Sequence, residues 1–305
     1  MNRFIGKRLL QLPFSVLGIT LIVFVLIRMT GDPVVLYLPP DATQEARAQL
    51  TRQLGLDQPL PVQYGVFILN LLHGDLGQSL YYKKPALDVV VSYIPATLQL
   101  MGTALIVAAL LGMVLGLTCA FWKGSLFDTF FVTLSVFGQA MPSFWLGIML
   151  ILFFAVNLHW LPASGRGTWA NMVLPTITLL MYLLPSTLLL VRSSAIEILA
   201  EDFLTVARAK GLSQRAILLR HVLKNALNPT ISSLGLQMGS LMGGAIVTET
   251  VFAWPGLGRL SVEAVLSRDF SVVQAAVVVL ATWVVLSNLL ADVANSIIDP
   301  RLQAG

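Results

Sequence analysis

Residues 89–122 read VVVSYIPATLQLMGTALIVAALLGMVLGLTCAFW, 34 positions without one charged side chain. About 20 apolar residues in a helix cross the hydrocarbon core of a bilayer, where no backbone amide can be left unpaired. Five more charge-free windows lie along the chain: Leu9–Ile27, Thr129–Gly165, Gly167–Val191, Asn225–Thr248 and Phe270–Ala291. Each holds at least one spanning helix, and we place six spans at about 9–28, 97–121, 131–157, 173–191, 231–252 and 274–296. Breaking the third at Pro142 would make seven, but neither half then reaches crossing length. Composition agrees. The 305 residues are 56% hydrophobic and 11% charged, against roughly 25% charged in an ordinary soluble domain, and mean hydropathy is +0.82. A soluble enzyme is excluded. The one cysteine, Cys119, lies in an apolar run, so neither a disulfide framework nor a cysteine metal site is available. The chain is an all-α integral membrane protein.

Lysine and arginine set the orientation. With six spans the termini share a side, which carries residues 1–8, 122–130, 192–230 and 297–305. Its basic residues are Arg3, Lys7, Arg8, Lys123, Arg192, Arg208, Lys210, Arg215, Arg220, Lys224 and Arg301. The other side is longer in total yet holds only Arg28, Arg47, Arg52, Lys83, Lys84, Arg166, Arg259 and Arg268. Positive charge is retained inside, so both termini are cytoplasmic. The first apolar run exceeds a signal-peptide core, and Arg28-Met29-Thr30-Gly31 offers no small-residue cleavage site. It is a retained span. The net charge of +4 is an orientation signal rather than a nucleic-acid footprint.

Two segments outside the bilayer exceed a simple turn. In the external region 29–96, Asp41-Ala42-Thr43-Gln44 can cap a helix that ends at Gly55. Pro59 and Pro61 precede a second helix, Val62–His73, stopped by Gly74. These helices lack the apolar mass for a core of their own, and we expect them on the membrane surface or a partner. The segment 192–230 is the sizeable cytoplasmic loop. Glu201 and Asp202 put acid in a first turn, Arg208 and Lys210 put base in the last, and Gly211 follows. Ser213 can cap a second helix, ended by Pro229, whose apolar stripe is Ile217, Leu218, Val222, Leu223, Ala226 and Leu227. Charge alone fits a basic loop on anionic headgroups. The small residues Ala207, Ala209 and Gly211 on an exposed helix point instead to close approach by another protein.

Ala207-Arg208-Ala209-Lys210-Gly211-Leu212-Ser213, followed by Leu219-Arg220-His221 and Asn225-Ala226-Leu227, resembles the EAA coupling loop of binding-protein-dependent ABC importer permeases. The dipeptide/oligopeptide/nickel branch is the most similar. The resemblance covers almost the whole chain, through Gly31-Asp32-Pro33, Leu54-Gly55-Leu56-Asp57-Gln58-Pro59, Gly74-Asp75-Leu76-Gly77, Pro142-Ser143-Phe144-Trp145, Leu161-Pro162-Ala163-Ser164-Gly165, Glu249-Thr250-Val251-Phe252, Trp254-Pro255-Gly256-Leu257-Gly258-Arg259 and Asp299-Pro300-Arg301. Each motif is weak, but their order and spacing are specific. Thr205 and Val206 depart from the general importer motif, which has Glu and Ala there. The resemblance implies a single permease domain of the type I fold in the bacterial inner membrane. It implies a second related permease, two cytoplasmic ATP-binding subunits and an external solute-binding protein as partners, besides membrane lipid. The ATPase-coupling residues would be Glu201, Asp202, Ala207, Arg208, Ala209, Lys210, Gly211 and Leu212. The expected cargo is a di- or oligopeptide, with glutathione, nickel chelates and opines as alternatives.

No P-loop sequence occurs, so ATP and its magnesium belong to partner subunits, and this chain carries no cofactor of its own. His73, His159 and His221 sit in separate segments; His73 and His159 both face outward, and the expectation is two interfacial side chains with no shared site, the alternative being a transient nickel contact. An intramembrane enzyme lacks a nucleophile–base pair; a secondary transporter would need neither coupling loop nor ATPase. Three ionisable groups, Arg28, Glu249 and Asp292, stand near span ends, where such groups point to function. Glu249 either faces the pathway as a gate group or caps the Trp254-Pro255-Gly256 turn, and Asp292 is a gate contact or a structural hydrogen-bond partner. Glycines along span two (Gly102, Gly112, Gly116) and span five (Gly235, Gly239, Gly243, Gly244) suit close helix packing.

Overall fold

A computed structural model describes residues 2–30, 34, 38, 42–53, 55–202, 204, 211, 213, 217 and 222–298. Its elements are α1 (Asn2–Thr30), α2 (Gln44–Gln53), α3 (Leu60–Leu72), α4 (Ala86–Phe121), α5 (Leu126–Ala140), α6 (Ser143–Leu150), α7 (Ala170–Leu199), α8 (Leu223–Val251), α9 (Leu257–Leu266) and α10 (Phe270–Ile298). From Ile151 to Asn157 the backbone of α6 continues in a wider π-type winding.

Among the described residues four helices are long and apolar enough to cross a membrane, α4, α7, α8 and α10, while the apolar stretch of α1, Pro13–Met29, is shorter than the crossing length expected of the first span. The third expected span is not one rod. It divides into Leu126–Ala140 and Ser143–Asn157, bent by 108°. Pro142 is the cause, since its ring disfavours the helical region for the residue before it and it donates no amide hydrogen. Met141 is accordingly extended, at φ −76 and ψ 136. The charge-free run from 129 to 165 hides this break because no charged residue separates the two limbs.

Packing at the centre is set by small residues. A Cβ at Gly116 would stand 2.8 Å from the Leu188 carbonyl oxygen and the Val191 Cβ, and one at Gly112 would meet Thr187 at 2.6 Å. The α4 and α7 backbones therefore approach closely, as small-residue faces allow in a membrane. Gly235 touches Ala291 of α10 in the same way, whereas a Cβ at Gly102 or Gly243 would meet open space. The apolar core joins these helices through Leu100, Ala104, Leu183, Leu241, Leu257 and Leu260.

Of the two external helices, α2 begins after Thr43, whose hydroxyl accepts the Ala46 amide at 3.2 Å. Asp41 lies outside the described residues. The second, α3, was expected on the membrane surface or a partner, yet it packs on the chain's own α1. Tyr64 donates its hydroxyl to the Leu17 carbonyl at 2.8 Å, and its ring meets Phe24 edge-on at 5.5 Å. Aromatic area supplies the attachment that a thirteen-residue helix cannot supply alone.

Candidate coupling segment and external elbow

Following α7 out of the bundle leads to the segment 192–230. Glu201 and Asp202 are exposed beyond its end. Leu204, Ile217 and Val222 are buried and form a small apolar cluster with Ala120 and Ala195. These three residues are thereby seated on the ends of α4 and α7. Ile217 donates its amide to the Ser213 carbonyl at 3.0 Å. Gly211 is exposed at φ +78, a left-handed conformation that glycine adopts without a side-chain clash, and a Cβ there would meet nothing within 4 Å among the described residues. Ala207, Arg208, Ala209, Lys210 and Leu212 lie outside the described residues.

Beside this seat sits an ion pair that the motifs did not reveal. Arg192 donates from Nε and Nη2 to the two carboxylate oxygens of Asp128, both at 2.7 Å. Asp128 also accepts the Gly124 amide at 2.9 Å, and its own amide reaches the Ser125 hydroxyl. Ser125-Leu126-Phe127-Asp128 is close to a capping box, with Asp in place of Glu or Gln and its carboxylate reaching Gly124, a local pattern at the start of α5 that does not name the distant arginine. The Arg192 guanidinium, with smaller help from Gly124 and Lys123, holds the Asp128 carboxyl below the usual carboxylate range against the opposing effect of burial. A depressed folded pKa contributes stability that is complete above the unfolded value, near pH 4, and fades as pH falls through the folded value. Asp128→Asn is expected to remove that acid limb and to destabilise the solubilised chain by about 2 kcal/mol, read as a lower melting temperature at pH 7. Equal melting temperatures for the variant and the parent would show that the pair is not structural.

At the opposite end of α8 the chain turns sharply into α9. Ala253 takes the left-handed position at φ 48. Trp254 donates its amide to the Glu249 carbonyl at 2.8 Å, and Ala253 donates to that of Thr250 at 3.3 Å, a paired closure of a helix C-terminus. The Glu249 side chain then bridges the turn. It is fully buried. Its carboxylate accepts the Thr97 hydroxyl at 2.6 Å, the Gly258 amide at 2.7 Å and the Arg259 amide at 3.1 Å. The Thr97 hydroxyl in turn accepts the Leu257 amide at 2.7 Å. Three orphan amides at the start of α9 are thus satisfied from α8 and α4. The indole of Trp254 completes the fastening by donating to the Ala96 carbonyl at 2.9 Å. Of the two alternatives for Glu249, the geometry is that of a cap on the turn.

Asp292 is half-buried near the end of α10. Arg28 lies over the Phe24 ring at 5.1 Å. His73 and His159 each turn a ring nitrogen onto a carbonyl of their own helical turn, those of Leu69 and Ala155. Among the described residues no three His, Cys, Asp or Glu side chains gather.

Comparison with known proteins places this geometry. Residues 112–304 match the family described as binding-protein-dependent transport system inner membrane component, and residues 1–101 match its N-terminal companion. The glutathione transport system permease protein GsiC of Salmonella paratyphi A is 40% identical over 304 residues, 99% of each chain. Its counterpart in Escherichia coli K12 is 38% identical over the same length. A chain of the MetNI methionine ABC transporter, solved in inward-facing conformations, superposes with a TM-score of 0.57 at 17% identity. It covers 69% of this chain and 96% of that one, and supports the fold alone. The chain belongs to the inner membrane component family of binding-protein-dependent transport systems, as a non-catalytic, multi-pass permease subunit of an ABC importer with the type I permease fold.

Proposed function

We propose that this permease forms half of a pathway for short peptides, with glutathione, itself a tripeptide, as the cargo. The observation that carries this is the 40% identity, end to end, with a glutathione transport permease. It moves the cargo from the general di- and oligopeptide class toward the alternative that the branch resemblance had left open. The second half of the pathway is a related permease. Two ATP-binding subunits dock at the cytoplasmic segment, through Glu201, Asp202, Ala207, Arg208, Ala209, Lys210, Gly211 and Leu212. The exposure of Glu201, Asp202 and Gly211, and the seating of Leu204 and Ile217 on α4 and α7, support a lever that carries the ATPase stroke into the bundle. Asp292 remains the gate candidate, while Glu249 fastens the external elbow.

The test is uptake by proteoliposomes containing this chain with its partner permease, ATPases and binding protein. ATP-dependent accumulation of labelled glutathione is expected, resisted only weakly by unlabelled dipeptide. Accumulation of dipeptide without glutathione would return the cargo to the dipeptide class. Flux that follows an ion gradient and survives removal of ATP would overturn the ATP-driven reading.

A further inference from the structure

Two turns on the external face are knotted by one buried carboxylate. Asp269, fully buried, caps α10 by accepting the Val272 amide with one oxygen at 3.3 Å. Its other oxygen accepts the Ser79 hydroxyl at 2.5 Å and the Tyr81 amide at 3.2 Å. The turn 79–84 is closed further by the amide of Ser79 on the Lys84 carbonyl, at 2.9 Å. Both turns carry a basic residue in the left-handed region, Lys83 and Arg268, each at φ 55. Arg268 ends α9 with the bonds that elsewhere accompany glycine, as at Gly74 after α3. A side chain kept where glycine is lower in energy by about 1 kcal/mol is a retained strain of the kind found at working surfaces.

What these turns present is a rigid, mixed surface. Tyr81 and Leu266 are 72% and 78% exposed, and Lys83, Lys84 and Arg268 are exposed around them. Beside Tyr81 and Leu266, and lined by both, lies a cavity of about 550 Å³ whose wall includes Tyr82, Arg259, Glu263 and Asp269. Within it Glu263 is engaged by Arg259 at 2.7 Å; Lys83, Lys84 and Arg268 are exposed on the same two turns outside that lining, and Asp88 in the first turn of α4 is an exposed acid that follows in the chain. A tyrosine and a leucine beside a concavity, ringed by charge, is the composition of a protein contact rather than of a lipid-facing belt. Position selects the partner. Because α8 runs from the coupling segment to α9, this surface is at the end of the bundle away from the ATPases.

We infer that the turns 79–84 and 265–269 form a docking surface for an acidic face of the solute-binding protein, an inference that rests on the chain's being a binding-protein-dependent permease. The three cations steer the encounter, and Tyr81 and Leu266 seat against the partner's apolar side chains. Charge at a contact rim acts mainly on association and is weakened by salt.

The experiment uses the complete transporter in lipid nanodiscs and follows ATP hydrolysis against binding-protein concentration at low and high salt. In the variant carrying Lys83→Glu, Lys84→Glu and Arg268→Glu, the half-stimulating concentration is expected to rise by about tenfold or more, with basal hydrolysis unchanged. Its dependence on salt should flatten or reverse. Should that variant fail to assemble, Lys84→Glu and Tyr81→Ala singly are expected to show smaller shifts in the same direction. A half-stimulating concentration and salt dependence equal to the parent's would overturn the docking surface alone. A shift seen with anionic bilayers and abolished in neutral ones would assign the cations to lipid headgroups and overturn it too. A parent transporter that no binding protein stimulates would instead refute the reading on which the surface rests.

Discussion

Glu249→Ala is expected to lower the stability of the permease by about 3–5 kcal/mol, the effect of emptying one side of a buried polar network. The variant leaves the Thr97 hydroxyl and the amides of Gly258 and Arg259 without their acceptor at the start of α9. Each buried donor so abandoned costs about 1–3 kcal/mol. Glu249→Gln keeps one acceptor oxygen but turns an amide group toward backbone donors, so it should fall between alanine and the parent. Thermal melting in detergent gives the order, and uptake assays should follow it, because α9 carries one of the two external turns that Asp269 ties together. The neighbouring glycines supply a second route to the same loss. A Cβ at Gly256 would collide with the Glu249 carboxylate, and one at Gly258 would stand 2.6 Å from the Ile246 Cα. Gly258→Ala is thus expected to unseat α9 while Glu249 itself is intact. If Glu249→Ala melts with the parent, the carboxylate is not the fastening of this elbow.

Gly211→Trp is expected to abolish uptake while membrane insertion and yield stay at the parent level. A Cβ at Gly211 meets nothing within 4 Å among the described residues, so bulk added there acts first on whatever approaches this glycine from outside. The proposed neighbour is the ATPase surface. Two effects are mixed in the substitution, bulk and the strain of a non-glycine residue at φ +78, the latter about 1–2 kcal/mol. Gly211→Asn separates them, because asparagine tolerates the left-handed region and adds little volume. Uptake near the parent level is expected for asparagine and none for tryptophan, with less ATPase co-eluting with the latter. Normal uptake by Gly211→Trp would move the interface elsewhere on the cytoplasmic segment.

These two sites differ in how far a sequence can reach them. Gly211 is marked by local chemistry: acid at one end of a short stretch, base at the other, glycine after it, within motifs whose order resembles one permease branch. Glu249 is marked only as an acid near a span end. Its partner Thr97 is 152 residues away, and nothing in either neighbourhood names the other. Asp128 and Asp269 repeat the pattern. Each has a local signature, a pattern close to a capping box and a helix N-cap, yet Arg192 and Ser79 were legible as partners only once the chain had folded.

Membrane spanning, orientation and family were determined by the sequence alone, since lipid offers no hydrogen bonds and forces every long apolar run into a helix whatever its neighbours. Charge-free length is a one-dimensional quantity, read directly from residues such as 89–122. The same quantity does not register a bend between two apolar limbs, which is why the 108° turn at Pro142 belongs to the structure. Tertiary packing also decided which polar groups are fastenings. A buried carboxylate is tolerated only where donors converge on it, and the donors to Glu249 and Asp269 converge from helices and turns that are far apart in the chain.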